Sequence, residues 1–291
     1  MQNALSIDVE DYFHAEALAQ IIPRQKWPEC SSRVVSSTNT ILNLLDKHRV
    51  KATFFILGIL AEQFPNLVVD IASRGHEIGS HGYEHLRITQ QNPGDFRSRL
   101  GKSQQILENI LQEPVIGYRA PTFSITRNSL WALDILYEMG FLYDSSIFPI
   151  HHDRYGIPDA PRFPYRVWEK RNFYEFPAST LRMCGINWPV GGGGYLRILP
   201  FSYTKYGVTK LNQASHPAMV YLHPWEVDDL QPRSGLTGLS KFRHYYHLDK
   251  MLDRLQKLLL TFPFAPIREV LKFYNYEKNL FNPPSSRTSR R

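Results

Sequence analysis

Short apolar runs alternate with amphipathic stretches through the first half of the chain. The run ALSIDV, Ala4 to Val9, reads as a buried strand. SSTNTILNLLDKH then reads as a helix, with a Ser or Thr cap near Ser37 and Ile41, Leu44 and Leu45 on one face. KATFFIL predicts a strand ending at Gly58, residues 66–73 a helix behind Pro65, and HEIGSH the next strand. From Asp95 to Leu111, residues Phe96, Leu100, Leu107, Ile110 and Leu111 keep helical spacing. PVIGYRA, a helix from Asn128 to Met139 ended by Gly140, and FLYDSS continue the alternation. Strands alternating with helices predict parallel β/α units, hence an α/β barrel or a doubly wound sheet.

The pattern loosens from Phe148 to Leu199, a stretch dense in Pro, Tyr and Arg with a glycine run at Gly191 to Gly194. It predicts an irregular insert, about 148–200, in one continuous domain over 1–275. PAMVYLHPW restores a strand, and an amphipathic helix from His247 to Leu260 belongs to a C-terminal extension at about 230–275. The last residues, 276–291, predict a disordered basic tail.

Composition narrows the function classes. The 291 residues, 43% hydrophobic, can bury a sizeable core. A formal charge of +7 raises the question of nucleic acid, but part of the excess sits in the terminal RTSRR. Elsewhere no basic stretch carries aromatic interleaving or a helix-turn-helix signature, so specific nucleic-acid binding is not expected. The longest apolar run, ATFFILGILA, is too short to span a bilayer. With no secretory signal visible in MQNALSIDVED, the expected location is the cytoplasm, peripheral at most to the inner membrane face. Two cysteines, Cys30 and Cys184, make neither a disulfide framework nor a cysteine metal site.

Ionisable groups gather where the predicted strands end. Asp8, Glu10 and Asp11 follow the first strand, His81 and His85 follow HEIGS, Arg119 ends PVIGY, Asp144 ends FLY, and His223 and Glu226 follow VYL. In a β/α barrel, catalytic residues collect at that C-terminal face. A His-x-x-x-His pair after a strand suits a zinc-like ion, and a catalytic site needs a third ligand, for which the carboxylates around Asp11 are the supply.

In order and spacing, SIDVED, SHGYEH, YRAPTF, YDSS and YLHPWE resemble the motifs of the polysaccharide deacetylases, the NodB-homology enzymes of carbohydrate esterase family four. DVEDYF, DSSIFP and HDRYGIP look most like the subgroup associated with bacterial exopolysaccharide synthesis. The resemblance implies a distorted (β/α)7 barrel and one divalent ion, zinc above cobalt or nickel, held by one Asp and two His. It implies hydrolysis of N-acetyl groups on N-acetylhexosamine units of a polysaccharide or its precursor, with the exopolysaccharide synthesis machinery as a partner.

Carried over residue by residue, His81 and His85 become metal ligands. The family run Thr-Phe-Asp-Asp-Gly is replaced by Asp8-Val9-Glu10-Asp11-Tyr12, so two registers compete. One makes Glu10 the base and Asp11 the ligand. The other makes Asp8 the base and Glu10 or Asp11 the ligand; Asp8 as base with Asp11 as ligand is preferred. The resemblance further implies that Arg119 orients the base, that the Thr122 backbone N–H meets the oxyanion, and that His223 protonates the departing amine. Asp144 is expected to hold His223, Glu226 to support a neighbouring site residue or to contact the sugar, and Trp188 and Tyr195 to contact the sugar. The rival readings are a metal-independent amidase or cyclic-imide hydrolase of the same fold, and a non-catalytic carbohydrate-binding protein.

Overall fold

Residues 3–9 form a strand buried along its whole length, as expected of a parallel strand covered on both faces. The computed structural model describes residues 1–152 and 154–272; the expected tail at 276–291 lies outside the described residues. The strands are β1 Asn3–Val9, β2 Thr53–Ile56, β3 Glu77–Ser80, β4 Gly117–Tyr118, β5 Tyr143–Asp144, β6 Tyr165–Arg166, β7 Tyr174–Glu175, β8 Thr180–Met183, β9 Ile186–Pro189, β10 Met219–Leu222 and β11 Phe264–Ala265. The helices are α1 Val34–His48, α2 Gly58–Gln63, α3 Pro65–Ser73, α4 Pro93–Leu111, α5 Trp131–Glu138, α6 Gly193–Ile198, α7 Phe201–Gln213, α8 Gly238–Tyr245, α9 Met251–Thr261 and α10 Ile267–Lys272.

The main sheet runs β10-β1-β2-β3-β4-β5-β7-β6, with β11 added beside the start of β1. All neighbours are parallel except the β6–β7 pair. Among the described residues no ladder joins β6 to β10, so the sheet is an open barrel. Its curl is visible in one side chain. Arg119, just past β4, reaches Ser6 and Asp8 of β1, Ser145 past β5 and the Met219 sulfur of β10.

Alternation along β1 sorts its residues. Leu5, Ile7 and Val9 join the apolar cluster shared with α1, α3 and α4. Ser6 and Asp8 point into the barrel and bond Arg119, and Glu10 continues that inward period of two past the strand end.

The stretch expected to be irregular holds the β6–β7 pair, the separate antiparallel hairpin β8–β9 and α6. Strand β7 extends the parallel sheet beside β5. Sequence spacing also misplaces the start of α1, which begins at Val34 rather than behind Ser37. Ser37 is buried inside the helix. The cap comes from far along the chain, because Asp11 Oδ2 accepts from the backbone N–H of Arg33 and Val34 at 2.9 and 3.1 Å. The C-terminal helix α9 starts at Met251, behind a short 3-10 turn at Leu248–Lys250.

Candidate active site

The C-terminal ends of β1, β3, β4 and β10 deliver Glu10, His81, Arg119 and His223 to one side of the barrel. A cavity of about 270 Å³ there is lined by Asp8, Glu10, His85, Thr122, Tyr155 and His223, among others. Glu10 Oε1 lies 3.0 Å from His81 Nε2 and 2.9 Å from His85 Nε2. The three ligand atoms all fall within 4.8 Å of one another, and all three residues are buried.

Hydrogen bonding fixes what this trio can hold. His81 Nδ1 sits 2.8 Å from the carbonyl oxygen of Arg119. A carbonyl only accepts, so Nδ1 carries the proton and Nε2 of a neutral ring turns its lone pair toward Glu10. Lone pairs of imidazole and carboxylate at 3.0 Å require a proton or a cation between them. The second bond of His81 is the kind that orients a metal-ligating histidine. The trio therefore fits a divalent ion in a site with a further position open to the cavity. Burial pushes the Glu10 carboxyl up, but the neighbouring His85 and His223 outweigh it and hold Glu10 well below the usual carboxylate range. It is charged, as a ligand must be.

Beside the trio, Asp8 Oδ1 accepts from Arg119 Nη1 at 2.6 Å, with both side chains buried. Arg119 is itself held by Ser6, by the Ser145 carbonyl and by the Ser145 hydroxyl. Asp8 Oδ2 is left toward His223, whose Nε2 is 3.9 Å away. The other ring nitrogen, Nδ1, lies 2.9 Å from Glu226 Oε2. Burial would lower His223, but Glu10, Glu226 and Asp8 raise it to about 9. Burial would raise Glu226, but Arg197 and then His223 bring it down to about 2. The pair is thus an imidazolium on a carboxylate, with Nε2–H directed at the cavity floor.

Thr122 lines the cavity in the left-handed region, φ 58°, as do Phe123 at 49° and His85 at 55°. Left-handed backbone at three non-glycine residues around one cavity is strain of the sort that collects at functional sites.

Several expected residues stand elsewhere. Asp11, the preferred third ligand, turns away from the histidines: strand alternation sends Glu10 inward and leaves Asp11 to Ser32, Arg33 and Val34. Asp144 does not hold His223; it bonds Ser146 and faces Glu175 in the barrel interior. Glu226 is fully buried beneath His223 and cannot contact a sugar. Trp188 is exposed on the β8–β9 hairpin and Tyr195 packs edge-on against Phe148 at 6.5 Å; neither lines the cavity.

The residue that sequence reasoning missed is Arg197. It is buried and bonds Glu226 at 2.7 Å. The signal available for it was a single Arg within the apolar run YLRILP. For Glu226 there was a better one: His-x-x-Glu has the spacing of a capping box, which His223 and Glu226 form around Pro224–Val227.

Comparison with known proteins adds similarities over parts of the chain. Residues 29–141 match the polysaccharide deacetylase profile, and residues 145–272 match a domain of unknown function, DUF3473. The first match includes His81, His85 and Arg119 but not Asp8 or Glu10, and the second includes His223. A peptidoglycan-N-acetylglucosamine deacetylase of Bacillus cereus is 41% identical over 98 residues, 33% of this chain and 36% of the relative. A Helicobacter pylori peptidoglycan deacetylase is 32% identical over 115 residues, 39% of this chain and 37% of the relative. The aligned segments thus span little more than a third of these relatives. A crystal structure from Mycobacterium smegmatis, provisionally named a polysaccharide deacetylase, superposes with a TM-score of 0.66 at 18% identity, covering 98% of this chain and 93% of the other. Puue allantoinase superposes at 0.59 and 16% identity, over 93% and 89%. The profile and the curated relatives support the polysaccharide deacetylase family, and the two structures share the fold. Among the described residues, no helix is long and apolar enough to cross a membrane.

Proposed function

We propose that this chain, with the polysaccharide deacetylases it resembles, is a metal-dependent hydrolase that removes acetyl groups from N-acetylhexosamine units of a glycan. One observation carries the reading: Glu10, His81 and His85 converge beside an Arg119-bound Asp8 and a Glu226-bound His223, at a cavity that Asp8, Glu10, His85 and His223 line.

A divalent ion held by Glu10, His81 and His85, whose two imidazoles and carboxylate suit zinc, would supply polarisation of the acetyl carbonyl and activation of water. The chain does the rest. Asp8, kept in place by Arg119, takes a proton from water as the water oxygen bonds to the carbonyl carbon. The Thr122 backbone N–H donates to the oxygen that gains charge. His223 Nε2–H protonates the nitrogen, the C–N bond breaks, and acetate and a free amine leave. Asp8 and His223 stand on one side of the trio, 3.9 Å apart, so one site can accept and donate the protons in turn.

The finer substrate reading, an exopolysaccharide or its lipid-linked precursor with the synthesis machinery as a partner, rests on DVEDYF, DSSIFP and HDRYGIP. The curated relatives are named for peptidoglycan, which shares the N-acetylglucosamine chemistry. The test is acetate release from N-acetylglucosamine oligomers by zinc-loaded wild type, by chelated protein and by Asp8→Asn. Release by the loaded wild type alone supports the reading. Equal turnover after chelation would favour the metal-independent amidase, and saturable binding without turnover the carbohydrate-binding protein.

A further inference from the structure

Residues 191–198 enter the barrel mouth as a glycine turn followed by a single helical turn and a half, and they touch the candidate proton donor at two levels. Gly192 packs so close to β10 that a Cβ there would come within 1.9 Å of the Tyr221 ring. At Gly193, φ +46°, a Cβ would lie 3.5 Å from His223 Cε1. Glycine backbone thus walls one edge of the imidazole, while Trp225 stacks on it at 5.3 Å and 22°.

Helix α6 then delivers Arg197 beneath the same ring. Its Nε donates to Glu226 Oε1 at 2.7 Å, Nη1 to the Tyr246 carbonyl at 2.8 Å and Nη2 to the Arg243 carbonyl at 2.9 Å. Each guanidinium nitrogen is therefore committed: Nε holds Glu226, and the two Nη atoms bond the backbone carbonyls that fix the guanidinium plane. The second Glu226 oxygen accepts from the His223 backbone N–H at 3.0 Å and faces Nδ1 at 2.9 Å. A carboxylate accepting a backbone N–H and pinned by an arginine can only accept from the ring, so Nδ1 carries a hydrogen and Nε2 faces Asp8 and Glu10.

We propose that Arg197 and Glu226 are positioning residues that hold His223 as the proton donor to the leaving amine, so that the glycine turn and α6 belong to the catalytic apparatus. This rests on the deacetylase reading above. It assigns the region matching the domain of unknown function a task within the same site. The carboxylate behind the acid comes from its own capping turn, and the arginine from the segment before α7.

The experiment compares two leaving groups. An N-acetylated sugar needs its nitrogen protonated as the C–N bond breaks; p-nitrophenyl acetate expels a stable phenolate and does not. Glu226→Gln keeps the shape but turns a donor toward Nδ1. It should lower kcat on an N-acetylglucosamine oligomer about 100-fold with KM unchanged. Turnover of p-nitrophenyl acetate should stay within about threefold of wild type. Arg197→Lys, which cannot reach the carboxylate and both carbonyls together, should fall between. Should it fail to fold, Glu226→Gln still decides. Equal losses on both substrates, or full activity on the sugar, would overturn the proposal.

A readout independent of turnover separates this from failure of the parent reading. Nitrogen NMR of the wild type should find His223 Nδ1 protonated, and Glu226→Gln, whose amide N–H donates to Nδ1, should leave that nitrogen bare. A bare Nδ1 in wild type removes the dyad whatever the substrate. A wild type inert on both acetyl substrates, with Nδ1 protonated, counts against the deacetylase reading and leaves the dyad standing.

Discussion

Arg119 binds both halves of the site at once: its guanidinium holds Asp8 at 2.6 Å and its backbone carbonyl accepts from His81 Nδ1 at 2.8 Å. One residue thereby fixes the proposed base through a side chain and the tautomer of a proposed ligand through the main chain. Substitution can separate the two.

Arg119→Met should strand a buried carboxylate and destabilise the protein by about 3–5 kcal/mol, the cost of breaking a buried pair from one side. The double variant Asp8→Asn, Arg119→Met should recover part of that loss. Urea unfolding of the two single variants and the double closes the cycle, and simple additivity would contradict a direct pair. Zinc binding should survive, because the carbonyl that orients His81 is untouched.

Asp11 acts on α1 rather than on a metal. Asp11→Ala should cost about 1–2 kcal/mol by exposing the N–H groups of Arg33 and Val34, seen as a lower thermal midpoint. An unchanged midpoint would contradict the capping role.

Asp144 and Glu175 form a buried acid pair. Asp144 Oδ2 and Glu175 Oε2 meet no N–H or O–H donor from elsewhere. Burial, then Asp144's charge, push Glu175 well above the carboxylate range, and burial lifts Asp144 to about 6. Both folded values exceed the unfolded ones. The stability they contribute is therefore full below the unfolded carboxylate range and is lost as pH rises through about 6 and beyond. Urea midpoints should fall between about pH 5 and pH 8, as Asp144 ionises beside Glu175. Glu175→Gln, which keeps a donor toward Asp144, should flatten that slope; an unaltered slope would place its origin elsewhere.

His223 is raised from 6.5 to about 9. For a histidine raised on folding, the stabilisation is complete below the unfolded pKa and disappears as pH climbs through about 9. In metal-free protein, proton NMR should show the imidazolium of His223 persisting at neutral pH. A midpoint near the ordinary histidine value would mean that Glu226 and Glu10 do not act on it together.

The barrel was legible because strands covered on both faces leave apolar runs such as TFFI and MVYL, the second stopped by His223. Alternation along β1 also indicated which carboxylates share a face. Asp8 and Glu10 share a face, and Asp11 cannot join them without breaking the period. What stayed hidden was the long-range cap of α1, which no local pattern announces. Asp144 misled for a similar reason, since its partner Glu175 lies on β7, a two-residue strand with no periodicity to read. Arg197 was invisible because its partners, Glu226 and the Arg243 and Tyr246 carbonyls, meet it only through the fold.

The central claim is that Glu10, His81 and His85 hold a metal ion. Mass spectrometry of zinc-reconstituted wild type, Glu10→Ala and Asp11→Ala tests it most directly. About one ion per chain is expected in the wild type, with loss in Glu10→Ala and retention in Asp11→Ala. Metal retained without Glu10 but lost without Asp11, or a wild type that binds none, would contradict it.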